Sequence, residues 1–402
     1  MKHAITFCLL ILSALLAQSQ TNPAITSWWI NSDSTIVQGV VAGVHRVDYT
    51  GTNVYVTTSG VPEYYVNGQS VNNAAGQNWV FRLPLTPQEQ TGAKTQVPMG
   101  GAVGVFVDGS VIFGPLDAMS WNNGNVWHRI AYFFEGTDFD STNGHSTPNH
   151  VYHHHVDAIV LHDFNSAAHS PLIGFAFDGF PVYGPFGYVN PDGTGGIKRM
   201  TPGYQLRNIS DRQTLPNGST NPGPAIDSQY PLGCFQEDYE YVQGSGDLDE
   251  YNGRLTVTPE YPSGTYAYFA TIDNLLQPVY PYFLGQSYYG VLDNSNTGPN
   301  GGHNTIPGGA TQYVADTTTG IRPAYPDFSF RLMPNPANDF LRVETSVAHC
   351  RILIFNSIGE NMLEAIISQE KSTIDISNLP PGNYIQVCDS GKTKYCAKFI
   401  KQ

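Results

Sequence analysis

The sequence predicts an all-β main domain, or one that is β-rich with short helices, followed by a small β-sandwich. Three observations lead there. Charged residues are 13% of the 402, while the chain holds 24 Tyr, 20 Phe, 41 Gly and 28 Pro. Tyr, Gly and Pro without a matching share of Lys, Glu and Arg make short strands and many turns rather than long helices. Short alternating apolar runs recur along most of the chain, bounded by Gly, Asn and Pro. The style of these runs changes after residue 327, where a second and more regular β pattern begins.

The formal charge of −14 narrows the partners. DNA and RNA need a basic surface, and 19 Lys plus Arg do not supply one. No nucleic acid is expected, and an anionic membrane surface is disfavoured for the same reason.

Taken in order, residues 1–19 read as a secretory signal peptide. Lys2 and His3 precede an apolar run from Ala4 to Ala17, and Ala17 and Ser19 stand before the expected cut at Gln20. The run is too short to span a bilayer comfortably, and no transmembrane segment is expected in the mature chain. Residues 20–316 form the expected main domain. Thr35 to Val41 and Asn53 to Thr58 read as strands. Gly101 to Val107 and Val111 to Phe113, separated by Asp108-Gly109, read as a hairpin with a two-residue turn. Asp117 to Phe134 fits either a short helix or an irregular segment, and Asn208 to Pro224 reads as a long polar loop. No internal repeat and no heptad pattern is evident. Residues 317–327, with Pro323 and Pro326, read as a linker.

Residues 328–402 hold five alternating segments: Phe340 to Glu344, Arg351 to Phe355, Ser372 to Ile376, Tyr384 to Val387 and Lys394 to Phe399. Their spacing predicts an Ig-like β-sandwich. Cys388 and Cys396 flank a turn and could pair across it, while Cys234 reads as a buried thiol. The pieces Pro334-Asn335-Pro336-Ala337, Ile354 to Gly359, Asp375 to Tyr384 and the final Lys398 to Gln402 resemble the type IX secretion C-terminal sorting domain. That resemblance implies handling by the type IX secretion machinery and a place outside the cell or on its outer surface. It also moves any chemistry into the preceding domain.

Histidine is concentrated between Gly144 and Ser170: His145, His150, His153, His154, His155, His162 and His169. If Tyr152-His153-His154-His155 is a strand, alternation sends His153 and His155 to one face and Tyr152 and His154 to the other. Two imidazoles at i and i+2 can chelate one ion, and His145 could complete the set. Imidazole suits zinc, copper, iron and nickel. Glu135, Asp138, Asp140 and Asp157 are near in sequence and could ligate or hold a second ring nitrogen. His150, His162 and His169 read more simply as bonded to backbone carbonyls.

The segments Asp140 to His145, Tyr152 to His155 and Ser170 to Pro185 are similar to the YHYH domain family, with His154 in place of its second Tyr. The similarity extends over most of residues 102–290. It implies a secreted protein and a site at the paired histidines, and carries no reaction with it.

Asp178, within a Gly- and Pro-rich aromatic passage, is a further candidate ligand or supporting group. Asp247-Leu248-Asp249-Glu250-Tyr251-Asn252-Gly253 spaces oxygen donors by two, which makes calcium possible, yet Asn252 stands where an EF-hand has Gly. No Gly-x-Ser-x-Gly, His-Glu-x-x-His or phosphate-loop motif occurs, so no catalytic residue is assigned. The expectation is a secreted or cell-surface metal-binding protein. His145, His153 and His155, with Asp140 or Asp178, hold zinc or copper. Two rivals stand beside it. One is an extracellular metal-dependent hydrolase or oxidoreductase with His154 or His169 as base. The other is a surface adhesin or glycan-binding module whose histidines are structural. An extracellular small molecule or glycan is the partner these rivals require.

Overall fold

The computed structural model describes residues 21–65, 70–140, 142–274, 276–298, 301–315, 330–333, 337–345, 350–356, 359–368, 371–389 and 394–402. The signal-peptide and linker assignments, residues 1–19 and 317–327, lie outside the described residues. The fold is β-rich; among the described residues the α-helices are four-residue segments at Pro23–Thr26 and Ala131–Phe134, beside three single-turn 3-10 helices.

Two hydrophobic cores share no residue. One gathers side chains between Ala24 and Tyr288, the other between Ala337 and Phe399. The second is enclosed by two antiparallel sheets. Phe330–Met333, Phe340–Thr345 and Lys371–Asp375 form one, while Asn361–Ile367, Cys350–Asn356, Gly382–Asp389 and Lys394–Lys401 form the other. Leu341, Val343 and Ile374 of the first sheet and Ile352, Ile354 and Cys388 of the second are buried in it. All five expected strands are present here. The register pairs Cys388 with Tyr395 and Cys396 with Val387, so the two cysteines are not set opposite each other.

The first core is built on an eight-stranded sheet. Its strands belong to two runs of six. The first run is β1 (Ala102–Phe106), β2 (Val111–Phe113), β3 (Leu116–Ser120), β4 (His128–Ile130), β5 (Gly144–Ser146) and β6 (Tyr152–His154). The second is β7 (Leu172–Ala176), β8 (Pro181–Tyr183), β9 (Phe186–Tyr188), β10 (Ile197–Arg199), β11 (Gly253–Thr256) and β12 (Thr265–Phe269). The sheet order is β5-β6-β2-β1-β7-β8-β12-β11, and β3-β4 and β9-β10 are separate ribbons.

That order reads the same from either end, because each strand of the first run has a counterpart six places later. At the centre β1 and β7 pair antiparallel through Gly104↔Ala176, Val105↔Phe175 and Phe106↔Gly174. β6 runs parallel to β2 with His154↔Ile112, and β12 runs parallel to β8 with Tyr268↔Val182. β5 pairs with β6 through Gly144↔His154, and β11 with β12 through Gly253↔Tyr268. The domain therefore contains an internal repeat, contrary to the expectation from sequence. Its central hairpins are 70 residues apart, while its outer ones are 109 apart in their first strands and 114 in their second, as the residue numbers show, so no single period exposes it.

The hairpin between β1 and β2 has a loop one residue longer than expected. The Phe106 amide donates to Ser110 O and the Gly109 amide to Phe106 O. Gly109 sits at φ +88, and a side chain there would meet Thr58 at 2.3 Å. Gly179 repeats the arrangement between β7 and β8 at φ +87. A smaller sheet, Val44–Tyr49, Asn53–Thr58 and Trp79–Pro84 with Thr311–Gln312 at its edge, joins the same core through Val47, Val56 and Phe81.

Candidate metal centre

β5 and β6 build the site. Gly144 allows them to approach: a Cβ there would lie 2.2 Å from the Tyr152 hydroxyl. Across the pair His145 stands opposite His153. Alternation along β6 turns His153 and the following His155 to the side of His145, and Tyr152 and His154 away. One nitrogen from each of His145, His153 and His155 lies within 4.8 Å of the other two, and all three residues are buried.

The other nitrogen of each ring is held by an acceptor. His155 Nδ1 donates to Gly114 O at 2.6 Å, His153 Nδ1 to Val151 O at 3.1 Å and His145 Nδ1 to Asp138 Oδ2 at 3.0 Å. A carbonyl or carboxylate only accepts, so Nδ1 of each ring carries a proton and Nε2 is the nitrogen turned into the cluster. His153 Nε2 and His155 Nε2 then face each other at 3.0 Å. His145 Nε2 is buried without a hydrogen-bond partner. Glu135 Oε2 closes the fourth side, 3.4 Å from His155 Nε2 and 3.6 Å from His145 Nε2. Its side chain is 33% exposed and is the edge at which the cluster meets solvent.

Aromatic rings wall the cluster. Phe113 stacks on His153 at 3.8 Å, and Phe139 packs beside His145 and His155. Burial, then the neighbouring His155, pushes the His145 imidazole below its ordinary range, and His153 falls well below for the same two reasons and His145 besides. Both rings therefore stay neutral, the form that ligates. For Glu135 burial works upward, but the hydrogen bond and charge of His155 prevail and lower it.

Asp140 and Asp178 stand outside this group. Asp140 accepts from the Tyr152 hydroxyl at 2.7 Å, from the Thr142 hydroxyl at 2.6 Å and from the amides of Thr142 and Gly144. It ties the start of β5 to β6. Asp178 lies in the second run, where it accepts from the Tyr268 hydroxyl at 2.7 Å and the Gly290 amide at 2.8 Å. In the acidic loop Asp247 pairs with Lys198 and Thr201, while Asp249 accepts from the Tyr266 hydroxyl and two amides. Protein donors thus already serve the two aspartates of the loop for which calcium was possible.

The remaining histidines go elsewhere. His150 and His169 bond the carbonyls of Asn73 and Ser170 through Nδ1, as expected. His162 also bonds a carbonyl through Nδ1, that of Asp163 at 3.0 Å, and pairs through Nε2 with Asp157 at 2.8 Å. His154 meets the Tyr64 hydroxyl at 3.0 Å, and burial pushes its imidazole down to about 3. Glu135 and Asp138 are among the four carboxylates expected to ligate or to hold a second ring nitrogen, and Asp138 does the latter for His145. The sequence had no means to show the Gly114 carbonyl, 41 residues from His155, that orients the third ring.

A β-rich domain with a buried tri-histidine cluster, followed by a two-sheet module, is the class that this architecture defines. The chain belongs to the YHYH protein family, whose family model matches residues 80–280 and so begins earlier than the motifs alone indicate. Residues 331–402 match the secretion system C-terminal sorting domain. No curated protein matches the chain. The sorting domain marks the protein for type IX export to the cell surface or the extracellular space. No described helix is long and apolar enough to cross a membrane.

Proposed function

We propose that the exported protein binds one divalent transition ion, zinc or copper, through His145, His153 and His155, with Glu135 at the fourth position. One observation carries the reading. Three buried imidazole nitrogens converge within 4.8 Å, two of them 3.0 Å apart, with each ring oriented from behind by an acceptor on its other nitrogen. A divalent cation at their centre would be met by all three. At zinc–nitrogen bonds of about 2.0–2.1 Å, tetrahedral ligands stand about 3.3 Å apart. The 4.8 Å bound on the cluster therefore leaves a contraction of about 1.5 Å at most. Asp138 and the Gly114 and Val151 carbonyls supply the outer hydrogen bonds that fix ring tautomers in metal sites.

A metal-dependent hydrolase or oxidoreductase is the second reading. The partly exposed Glu135 favours it, since a carboxylate at the solvent edge can yield its place to water or substrate. We assign residues 20–316 to the metal-binding domain, residues 317–327 to a linker and residues 328–402 to an Ig-like sorting domain, in keeping with the two separate cores.

Elemental analysis of the exported chain, purified without a His-tag, tests the reading. About one zinc or copper per chain is expected, with none in a folded His153→Ala/His155→Ala variant. A parent that holds neither metal after loading and desalting would overturn it and return the search to glycan and protein partners.

A further inference from the structure

The two six-strand runs agree beyond their registers. Asp108-Gly109 and Gly114-Pro115 of the first recur as Asp178-Gly179 and Gly184-Pro185 of the second. The Ala131 amide donates to Pro115 O at 2.9 Å, and the Met200 amide to Pro185 O at 2.8 Å. Before β5, the residues Asp138, Asp140, Asn143 and Gly144 are matched before β11 by Asp247, Asp249, Asn252 and Gly253. Asn143 and Asn252 share a left-handed backbone, at φ 67 and φ 66. The Tyr152 hydroxyl donates to Asp140 at 2.7 Å and the Tyr266 hydroxyl to Asp249 at 2.8 Å. A Cβ on Gly144 would strike Tyr152, and one on Gly253 would strike Tyr266. Tyr152-His153-His154-His155 is answered by Tyr266-Ala267-Tyr268-Phe269.

This equivalence assigns a counterpart to each of the three histidines. Arg254 takes the place of His145, Ala267 that of His153 and Phe269 that of His155. The acceptors behind the rings have counterparts too. Asp247, matching Asp138, acts on Arg254 through its charge. The Gly184 peptide matches that of Gly114. The space between them is filled: Phe269 and Met200 are fully buried, and the Arg254 guanidinium lies over the Phe269 ring at 6.0 Å.

We infer that the second half of the domain is a plugged copy of the metal-binding half, a latent site that keeps the frame for three histidines and has lost the histidines. The inference rests on the metal reading above for its chemistry, and on the paired registers for its geometry. It also gives Asp140 its role. Asp249 makes the same bonds where no histidine cluster exists, so this aspartate belongs to the frame and not to the ligand set.

The test is a graft in each direction, with zinc alone as the probe. Arg254→His/Ala267→His/Phe269→His in the full exported chain keeps core volume nearly constant, because Arg and Phe give up what Ala gains. It is expected to raise zinc from one to two per chain, and to hold one zinc in the His153→Ala/His155→Ala background. A folded triple variant that still holds a single zinc would overturn the inference. The reverse graft, His145→Arg/His153→Ala/His155→Phe, is expected to fold, with a Tm no lower than that of the parent, and to bind no zinc. Failure of the reverse graft to fold would refute the equivalence of the halves, and it decides the matter alone if the first graft does not fold. A parent without zinc defeats the metal reading instead, while a folded reverse graft still upholds the shared frame.

Discussion

Arg212 offers a quantitative test of how the long segment between β10 and β11 is held. This arginine is 1% exposed, and among the described residues its charge is met by Asp238, through Nε at 2.7 Å and a second nitrogen at 2.8 Å. Its remaining donors reach the carbonyls of Pro224, Ala225, Tyr230 and Pro231, which lie along the loop. A small apolar cluster, Trp127 with Cys234 and Phe235, backs the segment, and the Arg212 guanidinium lies over the Phe235 ring of that cluster at 5.0 Å. Arg212→Met keeps the buried stem but removes the counter-charge of Asp238, leaving that carboxylate to the Gly233 and Phe235 amides, and takes a donor from four carbonyls. Removing one partner of a buried pair costs about 3–5 kcal/mol. With a urea dependence of about 3 kcal/mol per molar, the midpoint should fall by about 1–1.7 M. Adding Asp238→Asn removes the stranded charge and should restore part of the loss. Urea unfolding of the parent, the single variant and the double variant measures both effects. A single variant within about 0.5 kcal/mol of the parent, or a double variant no better than the single, would refute the reasoning.

Two further outcomes follow from the paired halves. Burial pushes the Asp178 carboxyl up to about 6 from 3.8, so between those values the folded chain holds a proton that the unfolded chain has released. This contribution is present below about pH 4 and is lost as pH rises through 6, a change of about 3 kcal/mol at about 1.4 kcal/mol per unit. Asp178→Asn lacks the proton, so its stability relative to the parent should improve by up to that amount from pH 4 to pH 7. Parallel urea midpoints across that range would contradict it. Gly144→Ala and Gly253→Ala each force a Cβ into a tyrosine, at 2.2 Å and 2.5 Å. Each should cost about 1–3 kcal/mol. Only Gly144→Ala should also weaken zinc binding, which titration against a competing chelator would show. Equal loss of zinc affinity in both would argue against the assignment of the site to the first half.

Much of this architecture is legible in the chain because it is local. Alternation in Tyr152 to His155 places two histidines on one face whatever the surroundings, and the third lies on the adjacent strand of the same hairpin. The strands of the sorting domain announce themselves through regular turns. What escapes is set by pairing between distant segments. Asp178 looked like a site residue because it lies in a Gly- and Pro-rich passage close to the histidines in sequence. Its counterpart Asp108 lies in a plain hairpin, and only the sheet shows the two to be equivalent. The repeat itself is hidden because residues 204–246, inserted ahead of β11, stretch the second half. The acidic run Asp247 to Gly253 resembled a calcium loop for a related reason. Its Asp-x-Asp-x-x-Asn-Gly pattern is that of Asp138 to Gly144, where the first aspartate orients His145 and the second receives Tyr152.

X-ray absorption at the zinc edge, on the zinc-loaded exported chain, examines the proposed centre most directly. Three imidazole nitrogens and one oxygen at about 2.0–2.1 Å, with the outer-shell scattering of histidine rings, are expected. Glu135→Ala should keep the three nitrogens and exchange the carboxylate for water. Sulfur at about 2.3 Å, or a shell of oxygens without imidazole scattering, would contradict a site made by His145, His153 and His155.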